Sequence, residues 1–342
     1  MARPAVRRPT SFDIAALAGV SQPTVSRALN GSPTVSAETR ARVTEAALKL
    51  GYRVDRHASA LRRQTSNTLA LLLFEDPTPD DSHINPFFTA MLGSATRAAA
   101  AKGYDILTSF QQLSSDWHRD YADSRRADGI IFLGYGDWRE FRPRLDELVA
   151  QGTAYAFWGA AERGAGWHCV GSDNEGGGYV ATRHLIARGR RRIAFLGERG
   201  PGCPELDARW RGHCTALAES GLAADAELAR DCTFTEQAGH DAMRDLLDRG
   251  LVFDAVFAAS DLMAIGAMRA LGEAGRTVPG DVAVVGFDDV PAAALTSPPL
   301  TTVAQNAGEA GRALVDLLTE QLAGAQPEPR VLPVQLVVRA SS

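Results

Sequence analysis

The sequence predicts two fold classes in one chain: a small all-α helix-turn-helix head, then a two-lobed α/β body built on parallel, doubly wound sheets. Three observations carry this expectation. Residues 10–30 hold two short helical patterns that meet at Gly19. From Leu69 onward, short apolar runs alternate with helical stretches, as in strand–helix units. About a dozen such runs are too many for one open sheet, so the 342 residues are expected to divide over two lobes.

The head comes first. Thr10 is placed to cap a first helix, with Asp13 three residues on as its capping-box partner. Ile14 and Leu17 supply an apolar face, Ala15 is small enough for a second helix to cross closely, and Gly19 can take the positive φ of a tight turn. Val20 and Val25 close a small core, and Ser21 caps the second helix. That helix then presents Gln22, Pro23, Ser26 and Arg27 outward near its N-terminus, the end that enters the major groove in helix-turn-helix proteins. Gln22, Pro23 and Arg27 are the candidates for base preference, Pro23 through shape or a thymine methyl only. Thr24, Ser26 and Asn30 suit phosphate contacts, and Thr10 and Ser21, at the two helix starts, are counted with the DNA-facing set. Ser36 would cap a third helix and Gly51 would stop it, giving a head over 1–52.

Charge supports this division. The net charge of −5 hides a split: residues 1–66 carry eleven Lys and Arg against four Asp and Glu, about +7, and the remainder is about −12. A basic head on an acidic body fits nucleic-acid contact at one end only. Residues 53–66 are basic, polar and poor in core residues, and read as a hinge able to become helical.

In the body, Leu69–Phe74 is a short apolar run of the kind a doubly buried strand shows. A helix over 86–102, strand 104–108, a helix near 115–126, strand 129–133, helix 138–151 and strand 153–157 follow. The alternation continues with helices 176–188, 207–220, 236–249 and 261–274, and strands 192–196, 228–233, 255–258 and 282–285. In open α/β sheets, ligands sit beyond the carboxyl ends of the strands, and two facing sets of strand-end loops make a cleft. Asp261, Asp288, Phe234, Gln305 and Arg209 stand at such ends or helix starts; Asp81, His83, Asn85, Phe87 and Trp158 are the first-lobe candidates. Carboxylate, amide and guanidinium groups suit vicinal sugar hydroxyls, and aromatic rings suit a sugar's C–H face. The acidic loop 75–83 favours a neutral sugar over a sugar phosphate.

Other chemistries find little support. The four cysteines lack CxxC spacing and the seven histidines are scattered, so neither a metal site nor a disulfide framework is expected. Gly176–Gly178 lacks the spacing of a phosphate-binding loop and reads as a helix entry; there is no G-x-S-x-G or HExxH motif, and adjacent Asp288 and Asp289 are a poor glycosidase pair. No apolar run reaches membrane-helix length, and no apolar signal core follows the basic start, so a cytoplasmic location is expected.

Residues 20–30, Val-Ser-x-x-Thr-Val-Ser-Arg-x-Leu-Asn, with the continuation to Tyr52, closely resemble the headpiece of the lactose-repressor (LacI/GalR) family. Asn85–Phe88, Asp128–Ile131, Val170–Gly177, Ala259–Met268, Val284–Asp289 and Pro299–Val303 are similar to that family's effector domain, itself like bacterial periplasmic sugar-binding proteins. The resemblance runs from about residue 10 to the end. It implies that Leu61 is a minor-groove wedge and Ala58 a small residue letting paired hinge helices approach, although Val54-Asp55 stands where Pro-Asn is usual. It also implies effector contacts at Arg209, Asp261, Phe234 and Asp288. Three crossings between lobes are expected near 172, 303 and 327. They give a first lobe of 67–172 with 304–326, including helix 307–323, and a second of 173–303 with 327–342, ending in strand Val331–Val338. The implied protein is a homodimeric repressor of carbohydrate-use genes, binding a pseudopalindromic operator and a mono- or disaccharide, with no cofactor and no catalysis. The alternative is a solute-binding protein of the periplasmic type without a DNA function.

Overall fold

The head folds as three helices, α1 (Ser11–Ala18), α2 (Gln22–Leu29) and α3 (Ala37–Lys49), in a computed structural model that describes residues 9–29, 32–52, 65–74, 84–111, 116–134, 136–160 and 167–342. Asn30, Ala58, Leu61, Asp81 and His83 lie outside the described residues. The Asp13 carboxylate accepts from the Thr10 N–H (2.7 Å) and hydroxyl (2.8 Å), anchoring the start of α1. Gly19 adopts φ 63° at the end of α1, and Arg42 of α3 donates to the Ala18 carbonyl there (2.5 Å). Ile14, Val25 and Val43 are fully buried, with Ala18, Ala28, Ala46 and Ala47 filling between them. One expectation fails: Leu17 is 52% exposed, because Ile14 and Ala18, four apart, face the other helices and Leu17 is turned away from them. Ser36 caps α3 as expected, accepting from the Thr39 N–H.

From Asn67 the chain forms a separate unit holding both lobes. Its elements are β1 (Thr68–Leu73), α4 (Pro86–Ala101), β2 (Asp105–Phe110), β3 (Gly129–Leu133), α5 (Trp138–Ala150), β4 (Tyr155–Trp158) and β5 (Cys169–Ser172). Next come α6 (Asn174–Ala187), β6 (Ile193–Leu196), α7 (Pro204–Glu219), β7 (Ala229–Arg230), α8 (Glu236–Asp248), β8 (Ala255–Ala258) and α9 (Asp261–Glu273). Last are β9 (Ala283–Asp288), β10 (Thr301–Gln305), α10 (Ala307–Leu322), β11 (Arg330–Leu332) and β12 (Val334–Val337).

Two six-stranded sheets result, ordered β11-β5-β4-β3-β1-β2 and β12-β10-β9-β8-β6-β7. All pairings are parallel except β10 with β12. Each sheet reverses its winding once, between β1 and β3 in the first and between β6 and β8 in the second. Alternate strand residues bury opposite faces. In the first sheet Leu69, Leu71, Leu73, Ile131 and Leu133 pack towards α4 and α10, while Leu72, Ile130, Phe132 and Phe157 pack on Trp138, Phe141 and Leu145.

The chain passes between the lobes three times. The first falls at Ser172–Asp173, where Asp173 caps α6 by accepting from the Gly176 N–H; Gly176–Gly178 therefore belongs to a helix. The second follows Gln305, after which Asn306 caps α10 and returns the chain to the first lobe. There the Gln321 amide bridges the Tyr155 N–H and C=O on β4. The third crossing is at 333, not near 327. The run expected as the single strand Val331–Val338 is split, β11 closing the first sheet and β12 the second, because Pro333 between them has no N–H for a ladder. The first-lobe segment expected to end at 326 therefore continues to 332. Strand 228–233 shrinks to the two residues of β7, and the helix near 115–126 is one π-helical turn, His118–Asp123, ended by Arg125 at φ 57°.

Candidate functional site

The strand ends of the two lobes face each other across a cleft of about 620 Å³ that is continuous with solvent. The first lobe contributes Phe74 after β1, Asn85, Phe87 and Phe88 at the start of α4, Gly134 and Gly136 after β3, and Trp158 at the end of β4. The second contributes Cys203, Glu205 and Arg209 on α7 or just before it, Phe234 between β7 and α8, Asp288 ending β9, and Gln305 ending β10.

Arg209 is the electrostatic centre. It is 4% exposed, and three groups hold its guanidinium. Nε donates to Asn174 Oδ1 (2.9 Å), Nη1 donates to the Ala259 carbonyl (2.5 Å), and Asp288 Oδ1 lies 3.8 Å from Nη1. The flat face stacks on Phe287, 3.7 Å from the ring centre. Asp288 also accepts from Gln305 Nε2 (2.6 Å), yet its pKa rises from 3.8 to about 6. Burial outweighs the attraction of Arg209 here, since an ion pair this long returns only part of the hydration both groups lose. Gln305 Oε1 is buried and has no partner among the described residues, so it is an acceptor facing a site that can supply a donor.

The first lobe offers apolar rings. Phe87 and Trp158 meet at 5.6 Å between centroids, and Phe87 also touches Phe88 at 5.7 Å. Phe87 and Trp158 are 5% and 6% exposed, so each is both core and cleft wall. Asn85 caps α4, accepting from the Phe87 N–H, which fixes its side chain at the rim of that wall. Glu205 is the second carboxylate on the lining, and burial together with Glu205 pushes the Cys203 thiol well up.

Of the ten residues named as ligand-site candidates, seven line one cleft, namely Asn85, Phe87, Trp158, Arg209, Phe234, Asp288 and Gln305, and Asp81 and His83 lie outside the described residues. Asp261 does not line the cleft. It is fully buried behind the wall, both carboxylate oxygens are engaged, and Ser260 rather than Asp261 caps α9. Phe74, Phe88, Gly134, Gly136, Cys203 and Glu205 were missed. Phe74 and Gly134 directly follow strands, so the strand-end rule applied to every strand finds them. Glu205 was hidden because α7 was expected to begin at 207, whereas Pro204 starts it.

On the head, Pro23 and Arg27 are exposed, while Gln22, Thr24 and Ser26 are partly covered. Gln22 Nε2 donates to Ser11 Oγ (3.2 Å), and Ser21 and Thr24 share a hydrogen bond between hydroxyls (2.8 Å). Thr24 and Ser21 thus close the start of α2 as a cap does, with the Thr24 N–H reaching Ser21 Oγ at 3.4 Å.

Residues 12–55 match the model of bacterial regulatory proteins of the lacI family, and residues 182–342 match a periplasmic binding protein-like domain. The chain is 37% identical to the HTH-type transcriptional regulator CelR of Thermobifida fusca, over 98% of both chains. This protein belongs to the LacI family. It is also 33% identical to GalR of Escherichia coli K12 over 90% of this chain and 89% of that one. Among solved structures, a CelR–cellobiose complex superposes with a TM-score of 0.72 at 36% identity, covering 98% of this chain and all of that one. The lac repressor dimer bound to operator and the anti-inducer ONPF gives 0.83 at 27% identity, covering 98% and 99%. The regulator is thus a helix-turn-helix transcription factor with a two-lobed α/β body. Among the described residues, no helix is long and apolar enough to cross a membrane, and no group of three or more His, Cys, Asp or Glu is arranged to hold a metal ion.

Proposed function

We propose that this regulator is a cytoplasmic homodimer that represses carbohydrate-use genes and is controlled by an uncharged mono- or disaccharide held between its lobes. One observation carries the effector reading: the cleft sets aromatic rings on one lobe against a buried Arg209–Asp288–Gln305 cluster on the other, where Gln305 Oε1 has no donor among the described residues. Rings take the C–H faces of a sugar, and the polar cluster takes its hydroxyls. Arg209 is already matched by Asp288, and Glu205 adds a second carboxylate, so the lining repels phosphate and carboxylate ligands. The cellobiose bound to the CelR relative is a neutral disaccharide of this kind.

In this reading Arg209, Asp288, Gln305 and Asn85 bind hydroxyls, and Trp158, Phe87 and Phe234 form the apolar walls. The site binds and carries out no catalysis. One α2 reads a half-site, so a two-fold dimer reads a pseudopalindrome. Gln22, Pro23 and Arg27 set base preference; Thr10, Ser21, Thr24, Ser26 and Asn30 hold the phosphates; Ala58 and Leu61 act in the hinge.

The test is a thermal-shift screen against mono- and disaccharides and their phosphates, followed by operator gel shifts with and without each hit. A specific ligand raises the melting temperature by mass action. A neutral sugar that stabilises the protein and changes operator affinity supports the reading. Stabilisation by sugar phosphates alone, or by no sugar, removes it.

A further inference from the structure

Asp261 lies outside the cleft, yet its carboxylate is committed in a way that an ordinary core residue does not need. It is fully buried at the first position of α9. Oδ2 accepts from the Val290 N–H (2.8 Å), and Oδ1 accepts from the Thr302 hydroxyl on β10 (2.5 Å). A Cβ on Gly286 would run into Asp261 Oδ1, so β9 passes directly against this carboxylate.

The segment that Asp261 grips is strained. Asp288 has φ 116° and Asp289 φ 54°, two consecutive non-glycine residues in the left-handed region. Such conformations are unfavourable for a residue with a side chain and persist only where the surroundings impose them. Val290 is the first residue after the pair, so the bond from its N–H fixes the exit of the corner. Arg339 fixes the other side: Nη2 donates to Asp289 Oδ1 (2.6 Å) and Nη1 to the Leu300 carbonyl (2.8 Å). The corner so held aims the Asp288 carboxylate back at Gln305 and Arg209.

We infer that Asp261 and Arg339 are positioning residues for the effector site: they clamp the strained Asp288–Asp289 corner from opposite sides and act on the ligand only through Asp288. This rests on the sugar-effector reading given above. It replaces the expectation that Asp261 touches the ligand.

The test is a double-mutant cycle on affinity for the sugar that gives the largest thermal shift in the screen. Asp261→Asn keeps the shape but puts an NH2 group where a carboxylate oxygen met either the Val290 N–H or the Thr302 hydroxyl, loosening the grip on the corner, and should weaken binding about tenfold. In an Asp288→Ala background the same change should alter affinity by less than about twofold. A residue that merely supports the lobe would cost the same in both backgrounds, and that result overturns the proposal. Arg339→Met approaches the corner from the other side and should give the same pattern, which keeps the test decisive if Asp261→Asn folds poorly. If no sugar binds the parent protein, the effector reading fails while the clamp is still testable. Crystal structures of Asp261→Asn and Arg339→Met should show Asp288 withdrawn from Gln305 and Arg209, and an unchanged corner in both refutes the clamp.

Discussion

Gly178→Ala adds one methyl group and has a large expected effect. Helices α6 and α7 cross in backbone contact: a Cβ on Gly178 would lie 2.8 Å from the carbonyl carbon of Arg209 and 2.9 Å from its Cα, and nearer still to its carbonyl oxygen. The reciprocal Gly212 faces α6 in the same way, 2.7 Å from the Tyr179 nitrogen. Ordinary contact begins at 3.4 Å and the carbonyl oxygen lies closer than the carbon at 2.8 Å, so α7 must move away by well over about 0.6 Å. Forcing a methyl into such a crossing costs about 1–3 kcal/mol. The displaced residue is Arg209 itself, whose bonds to Asn174 and the Ala259 carbonyl stretch with it. A charged hydrogen bond is worth about 1.5–3 kcal/mol, so sugar affinity should fall roughly 10- to 100-fold. For a unit of this size about 3 kcal/mol corresponds to a melting temperature lower by roughly 5–10 °C. Gly272→Ala is the internal control. Gly272 sits in α9 with nothing within 4 Å of a Cβ, so alanine there should add about 0.5–1 kcal/mol. Differential scanning calorimetry and sugar titration check both. A Gly178→Ala protein that melts within about 1 °C of the parent and binds sugar equally well refutes the close-crossing argument.

Three further outcomes are expected. Leu61→Ala, if the leucine is a minor-groove wedge, weakens specific operator binding by about 1–3 kcal/mol and leaves sugar affinity unchanged; equal operator binding in a gel shift removes the wedge. Asp288 binds its proton more tightly folded than unfolded, so its contribution to stability is full below pH 3.8 and is lost as pH rises through about 6. That loss is ~3 kcal/mol, and urea midpoints from pH 4 to 7 should slope less in Asp288→Asn than in the parent; identical slopes count against the buried carboxylate. Burial first, and then the Asp137 and Asp231 carboxylates, raise the pKa of Glu198 against the pull of Arg139, so Glu198→Gln removes a net unfavourable charge at the cleft mouth and should tighten sugar binding a few-fold, checked by calorimetric titration.

Most of the architecture was legible because the signals were local. Thr10, Gly19 and Ser36 act within their own helices, and strand runs such as Leu69–Leu73 announce burial on both faces. The third crossing was misread because apolar composition over Val331–Val338 does not say which sheet a residue joins; only Pro333 marks the break. In the site, Arg209, Asp288 and Gln305 could be placed by strand-end logic, and the structure adds that they touch one another. Asp261 shows where that logic stops. A carboxylate at a strand end can face the cleft or the loop behind it, and the choice depends on Val290 and Thr302, 29 and 41 residues away. No spacing rule spans that distance.

The arrangement of the lobes also explains why a modest ligand can matter. The lobes are joined by three crossings, and the Asp173 N–H on the first donates to the Leu332 carbonyl beside the third, so these segments hold together as a narrow hinge. Away from that hinge, the Trp138 N–H at the start of α5 donates to the Gly202 carbonyl across the mouth (2.8 Å). Charges meet there too: the Asp137 and Glu198 carboxylates repel, while Arg139, bonded to Asp137, attracts both. A neutral backbone bond is worth about 1 kcal/mol and exposed charges of mixed sign add little, so these contacts bias opening against closure only weakly. Moving such an equilibrium from 1:99 to 99:1 needs about 5.5 kcal/mol of differential binding, and a starting point nearer to even needs less. A sugar that must touch the Phe87–Trp158 wall and the Arg209–Asp288–Gln305 cluster at once obtains its differential affinity from closure itself, because neither lobe alone completes the site.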